Sequence, residues 1–81
     1  MELKAIWDAL TRSILEIFPE LSSRVFLETD SLKELGANSI DRAGVIMLTM
    51  SHLNFTAPMV IFASAKNLGE LTTIFLNRMR S

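Results

Sequence analysis

The sequence predicts an all-α fold, a four-helix bundle made of three main helices and a short third helix. Three observations carry the prediction. Apolar residues recur at three- and four-residue steps in three separate stretches, Pro, Gly or Asn punctuates the gaps between them, and no run of useful length alternates with the two-residue period of a strand. No internal repeat or low-complexity tract interrupts the pattern.

In the first stretch Leu3, Ile6, Trp7, Leu10, Ile14, Ile17 and Phe18 keep helical spacing, with Glu2, Lys4, Asp8, Arg12 and Glu16 largely between them. Pro19 disfavours helical geometry at Phe18, so this helix stops near Ile17. Trp7 reads as one of its core anchors. Residues 19–36 show no sustained period, but Val25, Phe26, Leu27, Leu32 and Leu35 are apolar anchors along them. A structureless loop of that length is uncommon in a compact domain, so a short turn of helix is expected at residues 31–35, capped by Asp30 or Ser31.

Gly36-Ala37-Asn38 breaks the chain, and Asn38 or Ser39 caps the second main helix. Ile40, Ala43, Ile46, Met47, Met50 and Leu53 hold its spacing; Val45 and Leu48 widen the stripe enough to leave some of it for a partner. Residues 54–57 read as a turn, and Pro58 suits the first position of a short helix reaching about Ala65. Asn67 with Glu70 resembles a capping box, after which Leu68, Leu71, Phe75 and Met79 mark the last helix. Arg78 and Arg80 sit at the negative end of its dipole.

Composition narrows the function. An 81-residue chain of 9.1 kDa reads as one domain, residues 1–81, with room for a single core, which excludes most self-contained enzymes. There is no Cys and the only His is His52, so thiolate or histidine metal sites and Ser-His-Asp triads are not expected. His52 reads as a surface or helix-dipole residue. A net charge of −1 lacks the basic excess that drives nucleic-acid binding. The charge is unevenly placed: residues 1–41 carry eight acidic and four basic groups, whereas residues 42–81 carry one and four. No apolar run approaches the roughly 20 residues that span a bilayer, and no export signal is visible, so no membrane association and a cytoplasmic location are expected. A hydrophobic fraction of 49% and a mean hydropathy of +0.33 favour a protein that docks to others.

The locally unusual feature is Leu35-Gly36-Ala37-Asn38-Ser39-Ile40-Asp41, where a Gly-containing loop delivers Ser39 to the start of a helix. Unpaired amide N–H groups and the helix dipole favour an attached phosphate there. From spacing alone a serine at that place is most often an N-cap, and no nearby histidine activates it as a nucleophile.

Gly36-Ala37-Asn38-Ser39-Ile40 resembles the Gly-x-Asp-Ser-Leu motif of the acyl carrier protein family, with Asn for Asp and Ile for Leu. Asp30-Ser31-Leu32, Leu35-Gly36 and the last helix extend the resemblance over essentially the whole chain. It implies an acyl-carrier-like four-helix bundle in which Ser39 carries 4′-phosphopantetheine, taken from coenzyme A by a phosphopantetheinyl transferase that needs Mg²⁺. The chain itself is then non-catalytic and binds no metal. Family members are usually strongly acidic along the second helix, whereas here Asp41 is balanced by Arg42.

Gly36 to Arg42 and the Pro58–Leu71 stretch are most similar to the freestanding donor carriers of polyketide β-branching cassettes. That similarity implies loading with malonyl by an acyltransferase and decarboxylation to acetyl by a ketosynthase-like enzyme. It further implies acetyl donation to a 3-hydroxy-3-methylglutaryl (HMG) synthase-like enzyme. Acceptor carriers of this type tend to have Trp six residues beyond the attachment serine; Val45 stands there and favours the donor role. Asn38, Ile40, Arg42, Val45, Met47 and Met50 are the expected docking residues, with Met47 and Met50 equally readable as core. A monomer is expected, because a carrier rotates among partners. The other readings are a general acyl or peptidyl carrier for elongation or tailoring, and an unmodified helical adaptor.

Overall fold

The computed structural model describes residues 2–80 and contains, among them, three α-helices and two short 3₁₀ turns. The helices are α1 (Leu3–Ile17), α2 (Ser39–His52) and α3 (Leu68–Arg80). α1 turns Ile6, Leu10 and Ile14 inward as their spacing predicts, together with Ala9 and Ser13, whereas Leu3 is exposed and Trp7, Ile17 and Phe18 are only partly buried. Pro19 ends it as expected: Phe18 leaves helical geometry at φ −124°, ψ 71°, and Pro19–Leu21 forms a 3₁₀ turn absent from the sequence reading.

The long α1–α2 connection is tied down by hydrogen bonds rather than by a helix. Asp30 accepts from the Leu27 backbone N–H at 2.8 Å and from Arg24 at 2.9 Å. The backbone N–H groups of Leu68 and Gly69, at the open start of α3, donate to the Asp30 and Glu28 carbonyls at 2.8 and 2.9 Å. Two orphan donors of α3 are thereby satisfied, and the loop that leads into α2 is fastened to α3. The turn of helix expected at residues 31–35 is instead a succession of tight turns, with Ser31 Oγ accepting from the Glu34 N–H at 3.0 Å. Gly36, at φ +105°, then reverses the chain in a conformation that a side chain disfavours.

The short third helix is also reduced. Pro58 takes an extended conformation (φ −62°, ψ 136°) ahead of it, and Met59–Phe62 closes as a 3₁₀ turn instead of a helix running to Ala65. Only Phe62 of this turn is buried, so little apolar contact supports a longer element. Phe62 meets Phe75 at a ring separation of 4.5 Å, and Phe75 also meets Phe55 edge-on at 6.4 Å. Ile6, Leu10, Ile14, Val45, Leu68 and Phe75 are fully buried in one continuous core. Trp7 packs against its edge, partly buried. Across the α1–α2 contact His52 Nε2 lies 3.1 Å from the Glu16 carboxylate, so His52 links two helices instead of standing alone at a helix end.

Candidate functional site

Ser39 is the first residue of α2, and its N-terminal neighbour does the capping. Asn38 Oδ1 accepts from the Asp41 N–H at 2.8 Å, and Asp41 Oδ2 accepts from the Asn38 N–H at 3.2 Å. This reciprocal box, with Asp41 in the place usually held by Glu, decides between Asn38 and Ser39 as the cap. Ser39 is exposed, and its hydroxyl forms no hydrogen bond among the described residues. The hydroxyl therefore faces solvent beside the positive end of a 14-residue helix, where a covalently attached phosphate diester fits both the space and the charge.

α2 sorts the remaining candidates by face. Ile40 (80% exposed) and Met47 (58%) stand outward one above the other, seven residues apart. Val45 (0%) and Met50 (8%) are core residues, and this corrects the expectation that they meet a partner. The helical period places Val45, Ile46, Thr49, Met50 and Leu53 against the bundle; Met50 Sδ also receives the Ala57 N–H at 3.3 Å. Asn38 is exposed but committed to the cap, and Arg42 is half-exposed beside Ser39.

A groove of about 530 Å³ opens beside Ser39. Ile46, Phe62 and Leu71 supply its apolar floor, and Lys33, Arg42 and Lys66 reach its wall from three different segments. The sequence reading missed Lys33 and Lys66. Neither has a local signature, because only the fold brings the α1–α2 loop and the α3 approach to the start of α2. The Asn38-x-x-Asp41 spacing, by contrast, was a readable capping signal. No group of three or more His, Cys, Asp or Glu among the described residues is arranged to hold a metal ion. No helix among them is long and apolar enough to cross a membrane.

A small helical bundle whose second helix opens on an exposed, uncommitted serine has the build of a carrier domain. The comparisons agree. The chain is 35% identical over 81 residues to the polyketide biosynthesis acyl-carrier-protein AcpK of Bacillus subtilis, covering 100% of this chain and 99% of that protein. It belongs to the acyl carrier protein family. It also superposes on a chain from the crystal structure of the curacin biosynthetic pathway HMG synthase in complex with acetyl donor-ACP. That match has a TM-score of 0.86 and 39% identity and covers 93% of this chain and 96% of the other. No family model matches the sequence.

Proposed function

We propose that this protein carries an acetyl or malonyl thioester on a 4′-phosphopantetheine arm attached to Ser39 and donates acetyl to an HMG synthase-like enzyme in polyketide β-branching. The observation that carries the attachment is the Asn38–Asp41 box, which leaves the Ser39 hydroxyl exposed and unbonded at a helix N-terminus. The amides of Ser39 and Ile40, unpaired in the first turn, and the half-exposed Arg42 favour the anionic root of the arm. The arm supplies a terminal thiol that holds the acyl group as a thioester. The rest of the chain holds the attachment point rigidly and presents Ile40 and Met47 to partners without committing strong charge to any one of them.

Similarity to AcpK and to the donor carrier captured with an HMG synthase supports the donor role. The partners in this reading are a phosphopantetheinyl transferase, an acyltransferase, a decarboxylating ketosynthase-like enzyme and the HMG synthase-like enzyme, all meeting a non-catalytic, cytoplasmic monomer of one domain. The test is an intact mass spectrum before and after incubation with coenzyme A, Mg²⁺ and a broad-specificity phosphopantetheinyl transferase. A gain of one phosphopantetheine that localises to Ser39 and is lost in Ser39→Ala is expected. No gain from a folded sample with an active transferase overturns the reading.

A further inference from the structure

The groove beside Ser39 has an unusual charge for so small and nearly neutral a protein. Three of its eight Lys and Arg residues, Lys33, Arg42 and Lys66, line this one depression, and no Asp or Glu does. None of the three side chains forms an ion pair or hydrogen bond among the described residues, whereas Lys4, Arg12 and Arg24 are all paired with acids. Two neighbouring acids are occupied with backbone amides: Asp41 receives the Asn38 N–H at 3.2 Å, and Glu70 receives the Lys66 N–H at 2.9 Å. The cations thus ring an apolar floor to which no carboxylate contributes, and neither Asp41 nor Glu70, both turned to backbone amides, forms an ion pair with them. From Ser39 to Ile46 the groove follows α2 for seven residues, about 10 Å at the helical rise. An arm rooted at Ser39 can lie back along it.

We infer that Lys33, Arg42 and Lys66 make this groove selective for an arm whose acyl group ends in a carboxylate, malonyl over acetyl. The inference rests on the carrier reading above and deepens it. The apolar floor takes a short acyl arm of either kind, so the floor alone does not discriminate. The carboxylate does, because only it gains from unpaired cations held at the edge of a low-dielectric surface. Decarboxylation breaks the bond between the methylene carbon and the carboxylate, releases CO₂ and places a proton on that carbon. It therefore erases the charge that holds the arm. The malonyl form rests against the bundle, and the acetyl form is freed for the next enzyme.

The arm's own phosphate is the other anion within reach of these cations, and it is common to every loaded form. The experiment therefore compares amide ¹H–¹⁵N spectra of the apo, holo, acetyl, malonyl and acetoacetyl proteins, the last being a neutral mimic of malonyl in size. Shifts at Ala63, Lys66 and Asn67 specific to the malonyl form are expected. Their loss is expected in the Lys33→Gln/Lys66→Gln double variant and at about 1 M NaCl, where screening shortens to about 3 Å. Both lysines are exposed, so the variant keeps its fold, which its unchanged melting temperature verifies. If malonyl, acetyl and acetoacetyl spectra coincide, the inference is overturned and any effect of the cations belongs to the phosphate alone, seen in the apo-to-holo step. A chain that accepts no arm overturns the carrier reading and this inference together.

Discussion

Asn38 and Asp41 cap α2 reciprocally, each side chain accepting the other's backbone N–H, and the serine between them is left with a free hydroxyl. The cap is thereby made without the Ser39 hydroxyl. Asn38→Ala is expected to cost about 1 kcal/mol, the usual worth of a helix cap. In a domain of this size that lowers the melting temperature by about 4–8 °C. Asp41→Ala costs a similar amount, and the double variant costs less than the sum because one box is lost in both. Ser39→Ala, removing no hydrogen bond, leaves the melting temperature unchanged. Thermal unfolding of the four variants by circular dichroism checks the whole set.

Gly36 offers a purely conformational test. A Cβ built on it meets nothing within 4 Å, so any penalty of Gly36→Ala comes from the backbone at φ +105°. The expected loss is about 1–2 kcal/mol, measured by urea unfolding. Loading at Ser39 should slow as well, because Gly36 sets the direction in which the loop enters α2.

On the outer and inner faces of α2, truncations of similar chemistry should part company. Met47→Ala removes an exposed side chain, so stability stays within about 0.5 kcal/mol of the parent while acetyl transfer to an HMG synthase-like partner falls. Val45→Ala empties part of the core and costs about 1.5–3 kcal/mol. A melting curve and a transfer assay on each variant separate the two; equal transfer by Met47→Ala and the parent would remove Met47 from the docking surface.

Acid stability should report on Asp30. The Leu27 N–H holds its carboxyl below the ordinary value of 3.8; partial desolvation opposes this, and the hydrogen bond and charge of Arg24 assist it. A lowered folded-state pKa means that the stabilisation is fully present above 3.8 and is lost as pH falls through the folded-state value. In Asp30→Asn that contribution to the acid loss disappears, so the parent's melting temperature falls more steeply than the variant's below pH 3.8. Parallel curves in that range would count against the loop clasp as a pH-sensitive element.

Much of this molecule was written locally. The helical spacing from Leu3 to Ile17, the stop at Pro19 and the second cap near Gly36-Ala37-Asn38-Ser39 depend on neighbours within a few residues, and the structure reproduces them. The place of Ser39 at the start of α2 was legible for the same reason, since its setting is a loop, a cap and a helix start in unbroken sequence. The Asn67–Glu70 signal also marked a real helix start, although Glu70 returns its bond to the Lys66 N–H and not to Asn67.

Tertiary structure decided what local spacing leaves open. A 3.6-residue period says which side chains share a face, but α2 is apolar on too wide an arc to say which face turns inward. Packing of α2 against α1 in the common core buried Val45 and Met50 and left Ile40 and Met47 outside. The turns expected to be helical at residues 31–35 and 58–65 close mostly through three-residue backbone hydrogen bonds, such as Gly36 N–H to the Lys33 carbonyl and Ala65 N–H to the Phe62 carbonyl, and bury only Leu32 and Phe62. The grouping of Lys33, Arg42 and Lys66 around one groove exists only once the α1–α2 loop is fastened to α3 by the Leu68 and Gly69 amides, a contact between residues about forty positions apart that no local pattern encodes.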